Sequence, residues 1–175
     1  MNTVKAIFEP DSVLLVGSSS IRERVGMASP HLFSSVRRNM KKFFRGKIDV
    51  MDTDKRDINK SFIRFPYPQD LAVIMLPPDS SIVHAEMCAK RGTKALAMIT
   101  GGYKNYQRQR LLKLKEKYGV RILGPNTIMG VINTANGLNT TFEKDVMPRR
   151  GNIAVISQSG GVGACLLDWA CFYGV

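Results

Sequence analysis

Short apolar runs alternate with amphipathic segments along most of this chain. The apolar runs are rich in Val, Ile, Leu, Met and Ala, as expected of strands in a parallel sheet that helices cover on both faces. The predicted strands are Val13–Val16, Ile48–Met51, Leu71–Leu76, Ala95–Ile99 and Arg121–Leu123. Alternation of strands and helices with short turns predicts an α/β fold with a Rossmann-like, doubly wound parallel sheet. Such a sheet binds its ligand at the carboxyl ends of the strands.

Signals for helix ends accompany the amphipathic segments. Ser29 followed by Pro30 predicts a helix start, because serine caps the first turn and proline fits its first position. Asp79–Ser81 predicts a second capped start, and Gly92 and Gly119 predict helix stops. The helices expected from these signals are Leu32–Phe44, a helix from Asp79 to Arg91, and Gln107–Lys117.

Two strand-to-loop junctions rich in Gly and Ser are the first candidates for ligand sites. The first, Gly17–Ser20, follows the first predicted strand. The second, Ser157–Gly161, follows a further predicted strand, Ala154–Ile156, and leads into a predicted apolar helix, Val162–Phe172. A loop that opens a helix directs backbone N–H groups and the positive helix end at one point, which suits a phosphate or a carboxylate. Because the second junction lies close to Val175, we expect residues 1–148 to form a complete domain and residues 149–175 to begin a second, incomplete one.

The other predicted strand ends carry polar or rigid turns. Asp52–Arg56 places two acids close to two cations, a combination suited to a ribose or to a ribose phosphate. Pro77–Pro78 forms an extended turn without N–H groups that can lie flat against an adenine or a pantetheine. Thr100–Gly102 offers backbone donors. The first turn has an incomplete dinucleotide-binding fingerprint, so a plain βα turn that merely requires Gly17 is the alternative interpretation.

Length and composition agree with a globular protein of one domain and a further piece. The chain has 175 residues, 44% of them hydrophobic, with neither a long apolar run nor a secretion signal. Its cysteines, Cys88, Cys165 and Cys171, form no C-x-x-C pair and lie in helix-like apolar segments, so we expect buried thiols. These features predict a cytoplasmic protein without a membrane span or a metal site.

The net charge of +12 raises the question of a nucleic-acid partner. The basic residues concentrate in Arg37–Lys47 and Gln107–Lys117, but apolar residues recur between them at helical spacing, as in the solvated face of a helix. No sequence pattern of an RNA-binding module or a zinc finger accompanies them. Nucleic acid is therefore disfavoured, whereas polyanionic small ligands and acidic partner subunits suit such a surface.

Four segments of the chain carry longer and more specific motifs. They are Ile7–Val13, Asp70–Pro77, the run from Ile122 to Phe142 with its pattern GPN-x-x-x-G-x-x-N, and Gly151–Gly163 with the pattern NIAVISQSG. In this order they resemble the CoA-binding part of the NDP-forming acyl-CoA synthetases. That family includes the ADP-forming acetyl-CoA synthetases and, more distantly, the alpha subunits of succinyl-CoA synthetase. The resemblance covers nearly the whole chain.

The resemblance implies a reaction in which an acid, CoA and a nucleoside triphosphate give acyl-CoA, nucleoside diphosphate and phosphate through an acyl phosphate and a phosphorylated histidine. It also implies that the first domain holds CoA and that the second is flavodoxin-like. The implied contacts are Gly17, Ser18, Ser19 and Ser20 for the CoA phosphates, Lys55 for the ribose-phosphate end, Pro77 for the nucleotide, and Thr100, Gly101, Gly102 and Asn126 for the pantetheine arm. The implied phosphate-binding residues of the second loop are Ser157, Ser159, Gly160 and Gly161.

The chain departs from the family pattern at three places. Thr53–Lys55 stands where the family has Asn-Pro-Lys, and Thr127 stands where it has a cysteine. The phosphorylated histidine of the family lies beyond Val175, and no ATP-grasp segment is visible. His31 and His84 match no family motif, so we interpret them as surface or packing residues and expect no catalytic residue in this chain.

The resemblance thus predicts the CoA side of a larger enzyme, with ATP or GTP and magnesium bound in other domains or in a partner subunit. The rest of the synthetase would cover the apolar residues between 153 and 172. Docking of these residues on the first domain, or dimerisation of the chain, would also bury them. A stand-alone regulatory module that binds CoA or NAD is the alternative function, which the acids Asp52 and Asp54 favour.

Overall fold

The computed structural model describes residues 3–20, 27–54 and 67–175, and a five-stranded parallel sheet lies at its centre. The strands of this sheet are β1 (Ser12–Gly17), β2 (Lys47–Asp52), β3 (Leu71–Ile74), β4 (Ala95–Met98) and β5 (Arg121–Leu123). The helices of the described residues are α1 (Lys5–Phe8), α2 (Pro30–Phe43), α3 (Pro78–Lys90), α4 (Asn105–Tyr118) and α5 (Gly160–Tyr173). Two short strands, β6 (Ile132–Asn133) and β7 (Leu138–Asn139), form a separate antiparallel pair. The five predicted strands and the Rossmann-like α/β class are confirmed.

The order of strands in the sheet is β2-β1-β3-β4-β5, one of the two common orders of doubly wound sheets. Val13 of β1 pairs in parallel with Ile48 of β2 on one side and with Leu71 of β3 on the other. The chain places β2 on one side of β1 and then crosses to place β3 on the other side. The switch point of the sheet therefore lies between β1 and β3. In open α/β sheets the ligand crevice opens at the carboxyl ends of the strands beside such a switch point.

Each face of the sheet carries its own hydrophobic core, because neighbouring residues of a strand point to opposite faces. Val13 and Leu15 of β1 lie in the core that α2 covers with Phe33. Leu14 and Val16 lie in the other core, which side chains of α3 and α4 complete. Burial on both faces explains why these strands are continuous apolar runs rather than alternating ones.

The predicted helix start at Ser29 and the predicted stops at Gly92 and Gly119 are confirmed. Ser29 Oγ accepts a 3.1 Å hydrogen bond from the Leu32 N–H, and Pro30 occupies the first helical position. Gly92 and Gly119 adopt φ angles of 91° and 66°, left-handed values that glycine adopts without strain.

The predicted cap at Asp79–Ser81 is wrong, because α3 begins at Pro78, ahead of the predicted start. Proline has the φ angle of a helix fixed in advance, and its missing N–H is not needed in the first turn. Asp79 lies inside that turn, where its Oδ1 accepts a 2.6 Å hydrogen bond from Gln107 Nε2 of α4. The acid therefore ties α3 to α4 instead of capping its own helix.

The basic residues that lie within α2 and α4 face solvent, as their apolar spacing predicts, whereas Arg45 and Lys47 of the first basic segment lie beyond the end of α2. In α2, Val36 and Met40 are fully buried, while Arg37 and Lys41 are exposed. Among the described residues, none of the helices combines the length and the apolar composition that crossing a membrane requires.

The segment that leads into α5 does not form the strand predicted at Ala154–Ile156. Residues 151–158 have no ladder partner in the part of the chain that the structure describes, and Ile156 is 97% exposed. A strand needs a neighbouring strand to satisfy its N–H and C=O groups, which explains the difference. The expected apolar helix does form as α5; it buries Leu167 and leaves Trp169 and Phe172 exposed.

Candidate functional site

The turn after β1 is shaped by the close approach of α2. Gly17 is the last residue of β1, and a Cβ at this position would overlap the ring of Phe33. Packing therefore requires the glycine, and the contact brings the first turns of α2 close to Ser18–Ser20. Ser18 is buried, whereas Ser19 and Ser20 lie exposed at the carboxyl edge of the sheet.

Two carboxylates from the end of β2 hold the donors of this turn. The Ser19 N–H donates to Asp52 Oδ1 at 3.1 Å, and the Ser20 N–H donates to Asp54 Oδ2 at 2.6 Å. The Ser18 hydroxyl also donates to Asp54 Oδ2. Burial alone would raise the pKa of Asp54, but the hydrogen bonds from Ser18 and Ser20 outweigh it and hold the pKa below its usual value. The turn therefore binds anionic groups, and here they are carboxylates of the chain itself.

The turns after β3 and β4 are fastened to each other through the carbonyl group of Leu76. Its oxygen accepts hydrogen bonds from Thr100 Oγ1 at 2.6 Å and from Ser81 Oγ at 2.7 Å. Both hydroxyl residues are fully buried, where a polar group needs a partner inside the protein. The Ser81 N–H also donates to Pro77 O at 2.8 Å. Pro77 itself is half-buried and lies at the carboxyl edge of the sheet. Sequence reasoning assigned Ser81 to a helix cap and missed this role.

Asn126, in the turn after β5, lies against the turn after β4. A Cβ on Gly101 would be 2.6 Å from Asn126 Oδ1, and the Asn126 N–H donates to Thr100 O at 2.9 Å. Asn126 has a φ angle of 67°, a left-handed value that asparagine tolerates better than most residues. Gly124 has a φ angle of 93°, and a Cβ there would be 2.6 Å from Met98 O. The Gly-Pro-Asn motif thus has geometric reasons for both its first and its third residue.

The predicted CoA-binding residues within the described ranges lie along one edge of the sheet. Backbone bonds continue the parallel pairing beyond the strand ends, from the Met75 N–H to Val16 O at 2.9 Å and from the Ile99 N–H to Ile74 O at 3.1 Å. The turns after neighbouring strands are therefore side by side. They carry Gly17, Ser18, Ser19, Ser20, Pro77, Thr100, Gly101, Gly102 and Asn126. Lys55, the remaining predicted contact, lies outside the described residues.

The second Gly/Ser loop begins α5 and lies exposed. Ser159 caps the helix, since its Oγ accepts a 3.3 Å hydrogen bond from the Val162 N–H. Ser157 Oγ accepts from the Ser159 N–H at 3.1 Å and so shapes the loop from within. Gly160 and Gly161 occupy the first positions of the helix, where backbone N–H groups have no partner inside the helix. The local geometry of a helix-start anion site is therefore present.

This second loop lies beside the turn that carries Asn126. A Cβ on Gly160 would be 3.0 Å from Ile128 Cγ2, and one on Gly163 would be 3.4 Å from Met129 Cγ. Small residues at the start of α5 thus allow it to pack on the two residues that follow Thr127. No local sequence signal predicts this contact, which brings the second loop close to the Asn126 end of the carboxyl edge.

The histidines and cysteines have packing or surface positions. His84 is 2% exposed with its Nδ1 2.7 Å from Ser80 O, and burial lowers its pKa. His31 is exposed near the start of α2, so both histidines agree with the prediction. Among the described residues no group of side chains is arranged to hold a metal ion.

The expectation of buried thiols holds for one cysteine of the three. Burial raises the pKa of the Cys88 thiol to about 12, which makes it unreactive. Cys165 is exposed and Cys171 is partly exposed, so for these two the prediction is wrong. Both belong to α5, of which one face alone packs on the rest of the protein. All three thiols are free.

The parallel sheet with its switch point and its polar carboxyl edge defines a Rossmann-like α/β protein. No protein-family model matches the chain. It is 33% identical over 184 residues to the alpha subunit of ADP-forming acetate–CoA ligase I from Pyrococcus furiosus, covering 95% of this chain and 38% of that subunit. It is 35% identical over 176 residues to the ADP-forming acetate–CoA ligase of Methanocaldococcus jannaschii, covering 95% of this chain and 24% of that protein.

The fold itself is similar to a solved structure of acetyl-coenzyme A synthetase 1 from Ca. Korarchaeum cryptofilum in complex with phosphate and ADP. The TM-score is 0.78 at 30% identity, and the match covers 98% of this chain and 37% of that one. The chain is therefore homologous, over 95% of its length, to ADP-forming acetate–CoA ligases, and the resemblance that its motifs predicted is confirmed. It spans between 24% and 38% of the length of these two curated relatives.

Proposed function

We propose that this chain is the CoA-binding part of an NDP-forming acyl-CoA synthetase and that CoA lies along the carboxyl edge of its sheet. One observation carries the proposal. The turns after β1, β3, β4 and β5, which hold the motif-matched residues, lie side by side next to the switch point. A crevice of this kind is the usual ligand site of a doubly wound sheet.

In this proposal the ligand runs across the edge from its phosphates to its thiol. The phosphates meet the turn Gly17–Ser20, the nucleotide packs on Pro77, and the pantetheine arm follows Thr100–Gly102 to Asn126. Lys55 lies near the ribose-phosphate end. Loop Ser157–Gly161 receives a phosphate near the thiol end, which the contact of Gly160 with Ile128 supports.

The complete enzyme converts acid, CoA and ATP into acyl-CoA, ADP and phosphate through an acyl phosphate and a phosphohistidine. In our proposal this chain supplies binding rather than catalytic groups. ATP or GTP with magnesium binds in other domains or in a separate subunit, and that part supplies the phosphoryl group. The chain's own residues hold CoA and orient its thiol toward the second loop.

We further propose that residues 1–148 are the CoA-binding domain and that residues 149–175 begin a flavodoxin-like second domain. Trp169 and Phe172 of α5 are 53% and 81% exposed, a degree of exposure that favours cover by the rest of the synthetase. Three free thiols suit a reducing compartment, and we place the protein in the cytoplasm on that ground.

Calorimetric titration of the chain with CoA, NAD and NADP at one salt concentration tests the proposed ligand. We expect CoA to bind most tightly. The variant Lys55→Ala should weaken CoA more than dephospho-CoA, and Lys113→Ala, on the exposed part of α4, is the matched control. Equal losses of affinity for both ligands would show that Lys55 does not bind the 3′-phosphate. Tighter binding of NAD than of CoA would contradict the proposed function.

A dinucleotide-binding regulatory module is the second candidate function, and the position of Asp52 favours it. Asp52 ends β2 and accepts a hydrogen bond from the turn after β1. In dinucleotide-binding folds an acid at this place binds the ribose hydroxyl groups. The same titration distinguishes the two, because this module would prefer NAD.

A further inference from the structure

The turn after β1 and the end of β2 are joined by a dense set of hydrogen bonds. Asp54 Oδ2 accepts from the Ser20 N–H at 2.6 Å and from the Ser18 hydroxyl. Asp52 Oδ1 accepts from the Ser19 N–H at 3.1 Å and from the Asp54 N–H at 3.4 Å. The backbone donors at the tip of this turn are therefore engaged before any ligand arrives.

The Ser20 N–H and the Ser18 hydroxyl donate to one carboxylate oxygen of Asp54, just as they would donate to one oxygen of a bound phosphate. Charge-assisted bonds of this kind are short and are stronger than bonds between neutral groups. A ligand phosphate at this place needs the same two donors. It would also meet the negative charge of Asp54, and like charges in close contact repel.

We propose that Asp54 is a specificity-determining residue that fills the phosphate position of this turn, so that the turn accepts a phosphorylated ligand only when other contacts anchor it. The inference rests on the proposed function where it names CoA as the anchored ligand. Asp54 is exposed, so its side chain has room to turn toward solvent when a ligand displaces it. Free phosphate or pyrophosphate has no second anchor and does not displace it.

CoA has such anchors in the proposed site. Its nucleotide packs on Pro77, and its pantetheine arm lies beside Asn126, both away from the turn after β1. Contacts at these residues offset the loss of the Asp54 bonds. The turn then contributes to the choice between ligands more than to the overall affinity for CoA.

The test compares the unmodified chain with Asp54→Ala, Asp54→Asn and the control Asp49→Asn. Asp49 lies on strand β2, ahead of Asp54 in the chain, and accepts a 2.8 Å hydrogen bond from Gln69 Nε2, away from the turn. The control Asp49→Asn changes the net charge by the same amount as Asp54→Asn. Each protein is titrated with pyrophosphate while the amide resonances of Ser19 and Ser20 are followed, and with CoA by calorimetry.

We expect Asp54→Ala to bind pyrophosphate with shifts at Ser19 and Ser20, while the unmodified chain and Asp49→Asn show none at millimolar concentrations. CoA affinity should rise about tenfold in Asp54→Ala and less in Asp54→Asn, because asparagine keeps a neutral acceptor in place. Asp49→Asn should change CoA affinity less than about twofold.

Three results separate this inference from the proposed function. If CoA binds but Asp54→Ala gains neither pyrophosphate nor CoA affinity, the role of Asp54 is wrong and the proposed function stands. If Asp49→Asn gains as much as Asp54→Asn, the effect is one of general charge and the role of Asp54 is again wrong. If CoA binds to none of the proteins but pyrophosphate binds to Asp54→Ala, the proposed function fails and the role of Asp54 stands.

Discussion

The side chain of Asn126 lies against the backbone of Gly101, so closely that a Cβ on Gly101 would be 2.6 Å from Asn126 Oδ1. The two residues belong to the turns after the neighbouring strands β5 and β4. The Asn126 N–H also donates to Thr100 O at 2.9 Å, so backbone and side chain both join the turns. In the proposed site these turns hold the same part of the ligand, and a change in one therefore disturbs the other.

Gly101→Ala is expected to weaken CoA binding about tenfold, because the new methyl group pushes the Asn126 side chain out of its position and removes a contact worth about 1 kcal/mol or more. Stability should fall by less than about 1 kcal/mol, since the displaced atom is the end of a side chain. Calorimetry with CoA and thermal unfolding measure the two effects. Gly151→Ala is the control, because a Cβ there meets nothing within 4 Å.

A double-variant cycle assigns this loss to Asn126. In an Asn126→Gly background, where no side chain is left to displace, Gly101→Ala should cost little further CoA affinity. Glycine also tolerates the φ angle of 67° at this position. The same loss in both backgrounds would show that Gly101 acts by another route.

Gly17→Ala is expected to destabilise the fold by about 1–3 kcal/mol, because the methyl group would overlap a ring that is packed in the core. Phe33 is 2% exposed and cannot turn away from the new atoms. Urea unfolding of the variant measures the loss. Phe33→Leu shortens the side chain that would be struck, so the added cost of Gly17→Ala should be smaller in that background. Unchanged unfolding of Gly17→Ala would mean that α2 shifts freely and that Phe33 is not held tightly against Gly17.

Local sequence signals predicted the elements of this fold better than the contacts between them. The apolar runs marked all five strands, and Ser29 with Pro30 marked the start of α2, since each signal acts within a few residues. Asp79 was misread because two neighbouring starts were compatible with the local sequence, and its bond to Gln107 spans 28 residues. The strand at Ala154–Ile156 was misread because an apolar run does not reveal whether a pairing strand is present.

The candidate site follows the same division. Its turns could be predicted, because residues after parallel strands share one edge. The bond of Asp54 to the Ser20 N–H and the packing of Gly160 on Ile128 could not be predicted, since each joins segments about thirty residues apart in sequence.

Asp70, at the opposite edge of the sheet, makes the stability depend on pH. Its Oδ1 accepts from Lys94 Nζ at 2.6 Å, and its Oδ2 accepts from the Asp11 and Ser12 N–H groups at 3.0 and 3.2 Å. Burial alone would raise the pKa of Asp70, but these hydrogen bonds and the charge of Lys94 outweigh it and hold the pKa below the ordinary value. The stabilisation is therefore complete above the unfolded pKa of about 3.9 and is lost as the pH falls through the lower folded pKa.

Asp70→Asn should therefore lower the free energy of unfolding by about 2 kcal/mol at pH 7, the usual scale for hydrogen bonds to a charged group. The difference from the unmodified chain should shrink as the pH falls below about 4. Urea unfolding between pH 7 and pH 3 measures it, with the exposed Asp11→Asn as control. A difference that stays constant over this range would show that the charge of Asp70 is not the cause.

Inorganic phosphate is expected to bind at the start of α5 and to leave the turn after β1 unchanged. Gly160 and Gly161 present backbone N–H groups without intrahelical partners at the positive end of α5, whereas Asp54 already holds the Ser20 N–H. A phosphate titration at millimolar concentrations should therefore shift the amide resonances of Gly160 and Gly161, with Ser20 as an internal reference.

Ser159→Ala removes the cap on the Val162 N–H, which should cost about 1 kcal/mol of helix stability and weaken the response. Ser157→Ala, which leaves that cap in place, should weaken it less. If α5 is ordered but the amide resonances of Gly160 and Gly161 do not shift with phosphate, the anion site is contradicted. The backbone donors at the start of α5 would then not be sufficient to bind phosphate without a further part of the protein.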